Sequence, residues 1–90
     1  MAGRSIRERV HERLEQAFEG PVDVRDLTGT DNHFEVRVVS AAFEGNTPVE
    51  RHKLVYAPLR DWIEDDTVHA LSVRAYTPTQ HASLNQERRP

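Results

Sequence analysis

Apolar residues recur along this chain with two periods, and each change of period marks an element. Ile6, Val10, Leu14, Ala17 and Phe18 fall on one stripe at helical spacing. Ser5 and Glu8 ahead of them form an S-x-x-E capping box, in which each side chain satisfies a free backbone N–H. Gly20 offers a left-handed cap and Pro21 blocks continuation, so the pattern predicts a helix over about 6–19. The period then drops to two. Val22 and Val24 share one face against Asp23 and Arg25; Phe34, Val36 and Val38 share one face against Glu35 and Arg37. The stretch Asp26 to Asn32 between them is turn chemistry around Gly29, so the two strands read as a hairpin with a long loop.

A short turn over Ser40 to Asn46, anchored by Phe43, leads to a second capping box. Thr47 is the N-cap, Pro48 suits the first helical position and Glu50 completes the box. Val49, His52, Tyr56, Leu59 and Ile63 follow at 3-4-3-4 spacing, which predicts one helix with these residues on its buried face and a kink at Pro58. Glu64 to Thr67 is an acidic turn. The last strand is read over 68–76, with His69, Leu71, Val73 and Ala75 on one side and Ser72 and Arg74 on the other. From Pro78 the chain is polar. Residues 1–78 are read as one domain and 79–90 as a mobile tail.

The order helix, strand, strand, helix, strand gives an α+β fold: an αββαβ two-layer sandwich with a three-stranded mixed sheet, helices on one face. A parallel pair with a right-handed crossover joins strands two and three, which sets their first residues at one end of the sheet. His33 and His69 stand at those starts. Their parity differs, His69 following Leu71 and His33 following Glu35, so they converge only if the strand ends or the 26–32 loop twist them together.

Composition narrows the chemistry. The 90 residues contain no cysteine, which excludes a disulfide, a thiolate nucleophile and any iron–sulfur or zinc site built from the chain's own sulfur. The net charge of −3 lacks the basic footprint of a nucleic-acid binder, and no apolar run is long enough to span a membrane. A cytoplasmic protein is expected. No phosphate loop, nucleophile elbow or H-E-x-x-H motif is present, so the chain is not read as an enzyme. Spacing alone favours His69 as a solvated residue bonded to the 64–67 turn over a ligand. His33 within Asp31-Asn32-His33 is equally ordinary turn chemistry, with Asp31 an alternative ligand. His52 reads as a core or interface histidine, and Arg51-His52-Lys53 as a solvated helix start.

The same residues resemble the BolA family. The resemblance rests on V-R-D-L-T-G-T-D-N-H-F-E-V-R-V-V-S (24–40), F-E-G (43–45), E-R-H-K-L-V-Y (50–56) and V-H-A-L-S-V-R-A-Y-T-P (68–78), in order and spacing. It spans about residues 5–78, and the short T-G-T-D-N-H-F loop is similar to the compact-loop branch. The resemblance implies a fold similar to the class II KH domain. It also implies pairing with a monothiol glutaredoxin of the CGFS type across a shared 2Fe–2S cluster, glutathione being supplied through that partner. The family's cluster histidine falls on His69, its second loop ligand on His33, and its R-H pair on Arg51 and His52, with Lys53 completing a docking surface. The family's aromatic residue after T-P is absent; Thr79, Gln80 and His81 stand there.

The function expected is thus a non-enzymatic iron–sulfur trafficking or regulatory adaptor. The alternative is a nucleic-acid-binding transcriptional regulator using a helix–turn–helix at 41–63, although the GXXG clamp of KH domains is missing. A third reading is an interaction module that forms a homodimer through its open sheet face when no metal is bound.

Overall fold

The computed structural model describes residues 5–87. The first helix, α1 (Ile6–Ala17), begins with the expected capping box: the Glu8 N–H donates to Ser5 Oγ at 3.1 Å and the Ser5 N–H to Glu8 Oε1 at 3.3 Å. It ends earlier than its sequence pattern. Phe18 is already extended, and its N–H closes the last turn on the Leu14 carbonyl. Gly20 therefore caps no helix. Its φ of +116° turns the chain into β1 (Val22–Asp26), directly beneath the Val39 carbonyl.

Strand β1 pairs antiparallel with β2 (His33–Val39), and β2 pairs parallel with β3 (Ala70–Tyr76), in the order β1-β2-β3. The register sets Val24 opposite Val36, and Val36 opposite Val73. One face of the sheet is thus apolar, and the helices lie on it, α1 over β1 and α2 (Pro48–Tyr56) over β3. Val10, Leu14, Phe34, Val36, Val38, Phe43, Val55 and Leu59 are fully buried between the layers. Each such side chain contributes about 1.5–3 kcal/mol relative to exposure.

The single helix expected over 48–63 is three pieces. The chain passes from α2 into a 3-10 turn at Ala57–Leu59, around Pro58, and then into α3 (Arg60–Glu64). Proline has no N–H for the helical ladder, and the tighter turn absorbs that loss. The buried stripe also has a different phase. Val55, Leu59 and Trp62 face the core, while Val49 is 64% exposed and His52 lies at the surface. His52 is thus not a core histidine; it stacks on Tyr56 with ring centroids 4.2 Å apart. Trp62 is held against α1 by Arg13, whose guanidinium sits 3.4 Å from the ring centroid and donates to Asp61 Oδ1 at 2.8 Å. The 41–63 stretch, which the alternative reading takes as a helix–turn–helix, consists of 3-10 and α-helical pieces. Ala41–Phe43 is one 3-10 turn, and α2 and α3 are joined by the 3-10 turn at Ala57–Leu59.

The polar segment from Pro78, expected as a mobile tail over 79–90, forms a helix, α4 (Pro78–Glu87), and residues 88–90 lie outside the described residues. Its start repeats the chemistry of α2. The Gln80 N–H donates to Thr77 Oγ1 at 3.2 Å, and Gln80 Oε1 accepts from the Thr77 N–H at 3.0 Å, with proline at the first helical position. Thr77-Pro78-Thr79-Gln80 is a capping box that the polar composition behind it conceals.

A Cβ built on Gly20 lies 2.0 Å from the Val39 carbonyl oxygen. Gly20→Ala is expected to destabilise the fold by about 1–3 kcal/mol, read as a lower urea midpoint with an unchanged slope. An unchanged midpoint would mean that this turn is not packed as described.

Candidate functional site

The two histidines come from opposite ends of the crossover, and the parallel register brings them together. His33 opens β2 opposite Ala70, so His69 stands just ahead of the ladder. The Asn32 carbonyl accepts two amides there, from His69 at 2.8 Å and Ala70 at 3.1 Å. Two residues facing one, as in a bulge, release His69 from the alternation of β3. This resolves the parity conflict. The rings of His33 and His69 lie with centroids 5.0 Å apart, edge to face. His33 is half-buried and His69 exposed. Two nitrogens bound to one metal at about 2.0–2.1 Å each sit within roughly 4 Å of one another.

The loop from Asp26 to Asn32 is built to hold this geometry. Asp26 Oδ1 accepts from the Gly29 N–H at 2.9 Å, and its Oδ2 from the Asp31 N–H at 3.0 Å. Asp31 has a φ of +60°, which aims its carboxylate at the start of α1. Its two oxygens accept from the Ile6 N–H at 2.8 Å and the Arg7 N–H at 3.0 Å. The negative charge there also complements the positive end of the helix dipole. Asp31 is thus occupied as a cap and does not join the histidines. Among the described residues no group of three or more His, Cys, Asp or Glu side chains is placed to hold a metal ion. In the turn that precedes His69 in sequence, hydrogen bonds from the Thr67 side chain and N–H hold the Asp65 carboxyl below the usual range.

The basic run divides into two roles. Arg51 is used internally: Nε donates to the Asn46 carbonyl at 3.1 Å, and Nη1 to the Ala75 carbonyl at 3.2 Å and Gln80 Oε1 at 2.7 Å. It ties α2 to β3 and α4. His52 and Lys53 are exposed, and with Tyr56, Arg60, Ile63 and Glu64 they line a shallow groove. The Tyr56 hydroxyl reaches the Leu71 carbonyl at 3.5 Å, which sets this groove beside the start of β3.

The profile of the family described as BolA-like protein matches residues 4–80. The chain belongs to the BolA family. It is 39% identical over 56 residues to the acid stress protein IbaG of Escherichia coli K12, covering 62% of this chain and 67% of IbaG. It is 48% identical over 58 residues to human BolA-like protein 1, covering 64% of this chain and 42% of that one. Among solved structures, BolA1 from Arabidopsis thaliana superposes with a TM-score of 0.77 at 34% identity, covering 87% of this chain and 98% of that chain. The BolA fold is therefore α+β with the order αββαβα around a three-stranded mixed sheet, the final helix being α4. Among the described residues no helix of this BolA-family chain is long and apolar enough to cross a membrane.

Two features of the site were not anticipated from its residues. One is the locking of Asp31 onto α1, which a loop aspartate does not signal. The other is the Arg51–Gln80 contact, which follows only once the second T-P-x-Q/E box is taken as a helix start. The Asp31 contact is testable: Asp31→Ala should lower stability by about 1–2 kcal/mol, the range for losing a helix cap, and Asp31→Asn by less. Equal stability of Asp31→Ala and the parent in urea titration would show that the loop is not anchored through this carboxylate.

Proposed function

We propose that this BolA-family chain is a non-enzymatic iron–sulfur trafficking or regulatory adaptor of the cytoplasm that completes a 2Fe–2S cluster held jointly with a CGFS-type monothiol glutaredoxin. The observation that carries the reading is the His33–His69 pair, two imidazoles 5.0 Å apart at one edge of the molecule. A 2Fe–2S centre takes four ligands, mostly sulfur, and imidazoles can replace two thiolates on one iron. With no cysteine in the chain, the donor set fits half of such a centre and no more. The other half would come from the partner's cysteine and from glutathione bound to it. Such a cluster, when bound, supplies transferable iron and sulfide.

His69 is the main ligand in this reading and His33 the second. The exposure of His69 lets it reach across an interface, while the half-buried His33 is held by its own loop. His52 and Lys53 supply the contact surface, a cationic and aromatic patch on the groove beside β3, and Arg51 holds α2 in place behind them.

The chain mixed with a CGFS glutaredoxin, glutathione, iron and sulfide should give a coloured heterodimer. His69→Ala should alter its visible spectrum and speed cluster loss, while changing the stability of the free chain by no more than about 0.5 kcal/mol, as for other surface positions. His69→Cys should restore a cluster with a lower reduction potential, since thiolate replaces imidazole. A His69→Ala heterodimer with the parent spectrum would contradict the ligand assignment.

A further inference from the structure

Asn32 touches both histidines, by different atoms. Its side-chain Oδ1 lies 2.7 Å from His33 Nδ1, and its backbone carbonyl takes the amides of His69 and Ala70. A carboxamide oxygen has no hydrogen to give, so this bond requires the imidazole proton on Nδ1. The lone pair is then on Nε2, the nitrogen free to bind. A solvated imidazole favours the opposite arrangement, with the proton on Nε2. Thr30 also donates its hydroxyl to Asn32 Oδ1, and Thr28 and Thr30 share a hydrogen bond of 2.6 Å, so the oxygen is itself oriented.

We propose that Asn32 is the positioning residue of the histidine pair, fixing the His33 proton on Nδ1 so that Nε2 faces outward while its own main chain anchors His69 alongside. The role follows that of outer-shell acceptors for metal-binding histidines, which fix the tautomer, orient the ring and raise the basicity of the ligating nitrogen. It makes the loop an active part of the site. Asp26 and Asp31 lock the loop against α1, Asn32 transmits that rigidity to one ring through its side chain, and to the other residue through its backbone. The proposal rests on the reading of His33 and His69 as ligands, but its first test needs no metal.

The free chain, labelled with nitrogen-15, is read by long-range nitrogen–proton correlation of its imidazole rings. The parent should show His33 as the Nδ1–H tautomer. Asn32→Ala should move His33 toward the Nε2–H form, while the His69 and Ala70 amides keep their protection from exchange, because their acceptor is main chain. Asn32→Asp retains an acceptor and should retain the tautomer. In the glutaredoxin heterodimer, Asn32→Ala should release the cluster about 10–100-fold faster than the parent and Asn32→Asp should not. A parent spectrum with the proton on Nε2, or an Asn32→Ala spectrum unchanged at His33, overturns the proposal. Loss of His69 and Ala70 protection in Asn32→Ala also overturns it, since the effect would then be collapse of the loop. If the tautomer responds as stated and the parent forms no cluster with glutaredoxin, the positioning role stands and the iron–sulfur reading falls.

Discussion

Parallel pairing of β2 with β3 is the constraint on which everything else in this molecule depends. A parallel neighbour cannot be reached by a tight turn, so the chain must cross over the sheet. That crossover is α2, the Pro58 turn and α3, and it lays Val55, Leu59 and Trp62 on the core. The same pairing puts the beginnings of both strands at one end. His33 and His69, remote in sequence, become neighbours for topological reasons, and the shared Asn32 carbonyl sets the last ångströms.

Both edges of the small sheet are guarded by side chains from the helical layer. In the register observed, the β3 carbonyls that face away from β2 include Leu71 and Ala75, and these accept from Tyr56 and Arg51. On the other edge the Val22 carbonyl meets His11 Nε2 at 2.9 Å. Open strand edges invite pairing with other chains, and polar side chains laid across them reduce that risk. The histidine pair lies at the strand starts, beyond these guards, and stays accessible.

Much of this was legible in the residues, and the exceptions have physical causes. Both capping boxes of the first two long helices, the alternation of β1 and β2 and the crossover are local signals with fixed spacing, and they located the histidines at matching strand starts. The stripe expected on α2 differs in phase because His52 and Tyr56 look like core residues at helical spacing; Leu59 and Ile63 do pack on the core, but ahead of Pro58 the buried position is Val55 and not His52. The terminal helix was missed because its residues lack an apolar stripe, although Thr77 and Gln80 carry its start signal. The site was legible as two residues but not as a geometry. The opposed parity of His33 and His69 is undone by two amides sharing one carbonyl, an event no periodicity encodes.

The proposed function requires both histidines of this chain to bind one iron of a cluster shared with a partner. The most direct measurement is magnetic resonance of the reduced heterodimer, with nitrogen-15 histidine in this chain alone and an unlabelled glutaredoxin and glutathione. Hyperfine couplings to two distinct nitrogen-15 nuclei are expected, of which one disappears in His69→Ala and the other in His33→Ala. A cluster signal with no nitrogen-15 coupling would contradict it.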